Sequence, residues 1–215
     1  MFSLVLAAFA GEGFSGLALP DATAMEAGAG HVGAAALGYA VVGWDAEAGV
    51  LPAWRAAVAP TDRLAITSVG AADLRGAAGT LGARYVVLDT PGLRVAPWLG
   101  AAAIGGATVS GVAVAGVAMD AGWERVRFDV SLPLTGLAVG EAGVDASDAT
   151  TGYWLGAIEA GATFRLGERN ELRVGHTSAM PTVSWRYLGE RFYVDASAGT
   201  ILYVSYAQAG AGVRF

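Results

Sequence analysis

Residues 201–215 read ILYVSYAQAGAGVRF. Counting back from Phe215 in steps of two gives Val213, Ala211, Ala209 and Ala207, all small or apolar. The residues between them are Arg214, Gly212, Gly210 and Gln208. This repeat of two is that of a strand with one apolar and one polar face. The strand ends on an aromatic residue, and a water-soluble domain has little reason to finish that way. The same alternation runs back through the chain. In Arg125–Leu134 (RVRFDVSLPL), Arg125, Arg127, Asp129 and Ser131 share one face, and Val126, Phe128, Val130, Leu132 and Leu134 share the other. Residues 153–166 set Glu159, Gly161, Thr163 and Arg165 against Trp154, Ile158, Ala160, Ala162, Phe164 and Leu166. Residues 182–188 and 192–198 repeat the scheme, with Arg186 and Asp195 on their polar faces.

The terminal strand resembles the closing strand of Gram-negative outer-membrane β-barrels. In that superfamily the final Phe, with an apolar or aromatic residue two positions earlier, is read by the barrel-assembly machinery. The resemblance assigns that signal to Phe215 and Val213. It implies an integral outer-membrane protein whose partners are membrane lipids and, during biogenesis, the assembly machinery.

Composition agrees. The 215 residues suffice for one domain, and 54% are hydrophobic. The charged 15% are scattered along the chain, whereas a helical membrane protein would gather them in loops. In a barrel, lipid-facing and lumen-facing positions alternate along every strand. There is no cysteine, hence no disulfide framework, and all 13 basic residues are arginine. The net charge of −6 argues against nucleic acid as a partner. No Cys/His cluster suggests zinc, and the glycine runs lack the strand–loop–helix setting of phosphate sites, so neither metal nor cofactor is expected.

Residues 1–10 (MFSLVLAAFA) read as part of a secretion signal without its basic start. An ordered first strand or plug segment is the alternative. Residues 11–29 read as a linker, and residues 30–215 as the barrel domain. Polar turns at 60–63, 89–92, 122–124, 167–170 and 189–191 alternate with a second set of connections that contains the longest, 136–151. Short turns on one side and longer loops on the other are a barrel's asymmetry. The expected fold is therefore all-β: a closed antiparallel transmembrane β-barrel of twelve strands, with both termini periplasmic. Ten strands is the fallback if segments near 170–198 merge. Val95–Met119 has no charge and is long enough for a membrane helix, but Gly105–Gly106 breaks it into two strand-length halves.

On this topology the arginines cluster near the periplasmic rim. Candidate pore-lining residues are Arg55, Arg84, Arg125, Arg127, Asp129, Glu159, Arg165, Arg186, Asp195 and Arg214. Two readings compete. A ring of guanidinium groups would bias a pore toward anions. Alternatively the arginines pair with Asp129, Glu159, Asp195 and turn carboxylates in a filled interior, a question that twelve strands leave open. The expected function is a narrow channel for small solutes, anionic ones in particular, or a passive structural barrel. His176 and Ser178 form an H-x-S element similar to that of outer-membrane lipid A deacylases, which would make His176 the base and Ser178 the nucleophile. The following Asn of that family is Ala179 here, and no acid lies between Thr177 and Gly189 to orient the histidine. A third reading is an adhesion or partner-binding barrel using the acidic loop 136–151.

Overall fold

The computed structural model describes residues 26–42, 46–72, 74, 76–105, 109–140, 158–177, 180–201 and 204–215. The alternating segments become strands β1 (Gly30–Val41), β2 (Glu47–Val58), β3 (Leu64–Ala72), β4 (Ala77–Tyr85), β5 (Leu88–Thr90), β6 (Leu93–Gly105) and β7 (Val109–Trp123). They continue as β8 (Val126–Gly140), β9 (Glu159–Arg165), β10 (Asn170–Thr177), β11 (Met180–Leu188), β12 (Phe192–Ile201) and β13 (Val204–Arg214). Both β4 and β5 pair with β6. Between the pairs Arg84↔Trp98 and Leu88↔Val95, one side advances four residues and the other three. The two segments are thus one barrel strand carrying a β-bulge, and the thirteen segments make twelve strands.

All pairings are antiparallel between sequence neighbours, and β13 returns to β1 over His31↔Arg214 through Val41↔Val204. The sheet therefore closes and has no free edge, the condition for a sheet to exist in hydrocarbon. The seam is tied at the rim by two backbone bonds, Gly30 N–H to the Phe215 carbonyl (2.8 Å) and Phe215 N–H to the Gly30 carbonyl (3.0 Å). The uncharged stretch Val95–Met119 is the β6–β7 hairpin, with Trp98 opposite Gly116 and Ala101 opposite Ala113. The β7–β8 ladder shifts between Ala115 and Gly116, next to Pro133, which has no N–H to give a regular ladder.

The start of β1, the end of β13 and the turns at 59–63, 91–92, 124–125, 166–169 and 189–191 share one rim, called here the short-turn rim. Among the expected loops, 141–157 and parts of the others lie outside the described residues, as do residues 1–25. The expected signal segment, most of the linker and most of the acidic loop 136–151 thus lie outside the described residues.

Alternation sorts the side chains. Val50, Leu81, Leu99, Phe128, Leu134, Val174, Val183 and Val213 point outward and are exposed, and their strand neighbours point inward. Near the short-turn rim the outward aromatics Tyr85, Trp123, Phe192 and Phe215 follow one another around the barrel, as in an interfacial girdle. Trp185 also points outward, Trp154 lies outside the described residues, and Trp98 points inward, 3% exposed. The interior differs by level. Toward the loop end it is apolar: Leu37, Tyr39, Val41, Leu51, Val69, Met180 and Tyr206 form a buried cluster. Toward the short-turn rim it is charged.

Candidate functional site

The charged level is built by strand parity. Arg55 (β2), Arg84 (β4), Asp129 (β8), Glu159 (β9), Arg186 (β11) and Asp195 (β12) are all inward and buried. Each sits between outward apolar neighbours, so turning it outward would place a charge in lipid. Arg127 on β8 and Arg214 on β13 are half-buried on the same face, and Arg214 donates to the Gly189 carbonyl at 2.6 Å. Arg165 lies at the rim end of β9, half exposed. Arg125 is displaced from its expected strand position: it occupies the β7–β8 turn and is exposed. A tight reversal needs two residues outside the ladder, and Glu124–Arg125 supply them.

Two charge pairs cross the interior. Arg173 Nη2 lies 2.6 Å from Asp129 Oδ2 and its Nε 3.4 Å from Oδ1, with the side chains 6% and 0% exposed. Arg55 Nη1 donates to Asp195 Oδ2, also in a buried setting. Both arginines pass over intervening strands, and for Arg173 glycine makes the path. A methyl group on Gly161 (β9) would stand 2.9 Å from the Arg173 guanidinium carbon. On the other wall Tyr193 lies across Gly212 (β13) and Gly33 (β1), where an added Cβ would collide with its ring and hydroxyl. His31 meets Tyr193 edge-on at 5.4 Å and is 1% exposed. It lies on the inward face because it shares parity with Gly33 and Leu37.

Further pairs surround these. Glu171 lies 3.5 Å from Arg186 and 3.9 Å from Arg165, and Arg94 holds Asp89 at 3.0 Å. Arg169 and Glu190 pair outside the barrel wall at 3.6 Å. Glu171 and Arg173 were absent from the expected lining. The signal was available in E-L-R-V-G (171–175), where Glu171, Arg173 and Gly175 alternate with Leu172 and Val174. By alternation the inward arginines are 55, 84, 94, 127, 165, 173, 186 and 214, against the carboxylates Glu47, Asp89, Asp120, Asp129, Glu159, Glu171 and Asp195. Among the described residues guanidinium groups are in excess by one overall, and by two at the charged level, since Glu47 pairs with Val41 at the loop end.

At the short-turn rim this charged interior opens into a cavity of about 230 Å³. It is lined by Arg94, Arg125, Arg127, Arg165, Asp89, Asp120, Glu124 and Glu171, with Thr90, Thr163 and Trp123. The hydrolase candidates do not join it. His176 shares the outward parity of Leu172 and Val174, and Ser178 lies outside the described residues. Among the described residues no cluster of His, Cys, Asp and Glu suited to a metal ion occurs.

No protein-family model matches the chain, and no curated protein matches it in sequence. Solved structures do share its fold. The KdgM porin in complex with disordered oligogalacturonate aligns with a TM-score of 0.62 at 8% identity, over 86% of this chain and 99% of that one. An outer membrane channel from Pseudomonas putida F1 aligns at 0.51 with 12% identity, over 89% and 97%. Outer membrane phospholipase A from Escherichia coli, as an active-site mutant, aligns at 0.54 with 8% identity, over 96% and 98%. The fold is thus that of a Gram-negative outer-membrane β-barrel of twelve strands. Channels and a phospholipase share it, so function must be argued from the site.

Proposed function

We propose that this chain is an integral outer-membrane barrel that forms a narrow channel for small solutes and favours those carrying a carboxylate or other anionic group. The observation that carries this reading is the excess of inward guanidinium groups at the charged level, below an outward surface fit for lipid. Fixed cations along a constriction lower the barrier for anions and raise it for cations. Most of the arginines also have a structural part: Arg55 and Arg173 are held by carboxylates, which leaves a passage far narrower than an open pore. The KdgM porin, which shares the fold, is seen in complex with oligogalacturonate, an anionic molecule. For this chain, the small surplus of arginine at the charged level supports the same sign of selectivity.

The short-turn rim is assigned to the periplasm, because short turns lie on that side in barrels of this kind. Outer-membrane lipids contact the outward face. Phe215 and Val213, at the rim end of the closing strand and outward-facing, remain accessible to the assembly machinery.

Purified protein in planar bilayers is expected to give small single-channel currents, with a reversal potential in a salt gradient that favours chloride over potassium. Asp195→Asn removes the charge opposite Arg55 and is expected to shift the reversal potential further toward chloride. Cation selectivity, or no current above leak, rejects the channel reading.

A further inference from the structure

We propose that the cavity at the short-turn rim is a binding site for a small zwitterion, with its ammonium against Asp120 and its carboxylate against Arg125 and the Thr163 hydroxyl. This deepens the channel reading by naming the class of solute, and it rests on that reading in treating the bound molecule as cargo.

Size limits the ligand first. A volume of about 230 Å³ is on the scale of roughly eight waters at ~30 Å³ each, which suits a small metabolite. Charge limits it next. The lining holds four guanidinium groups and four carboxylates. A balanced wall gives a bare anion or cation no net attraction, but it can hold a molecule that carries both charges.

The individual groups set the orientation. Arg94 stands opposite Asp120 in the β6–β7 register, yet it turns to Asp89 at 3.0 Å. Arg165 leans toward Glu171. Among the described residues neither Asp120 nor Arg125 closes an ion pair, and both border the cavity. Thr163 supplies an independent sign of a ligand. It is 7% exposed and lines the cavity, and its buried Oγ1 has no hydrogen-bond partner. Buried hydroxyls are nearly always bonded to protein, water or ligand. Asp120 lies on β7 and Thr163 on β9, with β8 between them. Asp120 is in register with Asp129 and Gly161, two residues from Thr163, so two strand spacings of ~4.8 Å and two residues of ~3.3 Å put their backbones roughly 12 Å apart. Side chains that reach inward from both leave a gap of a few ångströms, the scale of the charge separation in an amino acid. In this pose the carboxylate stands next to Arg127 and leads toward the arginine-rich level above.

The test uses the full chain in detergent micelles and isothermal titration with three probes: glutamine, Nα-acetylglutamine, which keeps only the carboxylate, and glutaminamide, which keeps only the ammonium. Glutamine is expected to bind at least about tenfold more tightly than either, since each charge-assisted contact is worth on the order of a factor of ten. Asp120→Asn is expected to weaken glutamine about tenfold and to leave Nα-acetylglutamine unchanged. Arg125→Gln, at an exposed turn position that the fold does not need, is expected to weaken glutamine and Nα-acetylglutamine alike. Equal affinity for glutamine and Nα-acetylglutamine, or no binding of any probe, overturns the proposal. Bilayer recordings on the same preparation separate the two readings. Conductance without preferential glutamine binding removes the zwitterion site alone, and glutamine binding without conductance removes the channel alone.

Discussion

Replacing Asp129 with alanine is expected to cost the barrel about 3–5 kcal/mol, because it leaves the Arg173 guanidinium buried without its carboxylate. The geometry sets this size. The pair is closed by two contacts, at 2.6 and 3.4 Å, and neither side chain is more than 6% exposed. Little water can take the place of the lost carboxylate. Removing both charges should do less harm than removing one, since a buried pair often contributes little net stability relative to an apolar pair of similar volume. Asp129→Leu combined with Arg173→Met is therefore expected to recover most of the loss. Urea unfolding in detergent, followed by tryptophan fluorescence and heat-modifiable gel mobility, measures both. A loss under about 1 kcal/mol for Asp129→Ala would mean that water reaches the Arg173 guanidinium itself and that this pair does not narrow the passage.

The second large effect is steric. Gly33→Val is expected to destabilise the barrel by about 1–3 kcal/mol, the usual range for overpacking. A Cβ at that position would occupy the place of the Tyr193 hydroxyl. Tyr193 cannot simply swing away, because it is 1% exposed and His31 packs against it. Tyr193→Ala should suppress the defect: in that background Gly33→Val is expected to cost less than half as much. The same unfolding assay decides this. Equal costs in both backgrounds would mean that the glycine is required for its backbone alone.

These two sites also show where reading the sequence reaches its limit. The face on which each residue lies was legible, because a repeat of two fixes it as soon as a strand is recognised. Thus Arg127, Asp129, Glu159, Arg186 and Asp195 were placed inward from alternation alone. Even Val95–Met119, which has the length of a membrane helix, resolved into two strands on the strength of its central glycines. The partners were not legible. Arg173 meets Asp129 from 44 residues away, and Arg55 meets Asp195 from 140 residues away. Those distances depend on strand stagger around the closed sheet, which local periodicity does not encode. In the sequence Gly161 and Gly33 are small residues on the faces of Glu159 and His31. Their more specific use, as floors beneath Arg173 and Tyr193, appears only when neighbouring strands are in register. The apolar loop-end half of the interior was hidden for another reason. Leu37, Tyr39 and Val41 lie on the same face as His31, and composition cannot tell an inward leucine from an outward one.

The central claim is a closed cylinder with lipid outside and a distinct interior. The chain has no cysteine, so single cysteines can be introduced one at a time from Trp98 to Ala103 on β6 and labelled with a small fluorophore. Quenching by brominated lipids in reconstituted vesicles then reports which positions face hydrocarbon. The account predicts strong quenching at 99, 101 and 103 and weak quenching at 98, 100 and 102. Quenching that recurs every three to four residues, or that is uniform along the segment, would contradict it.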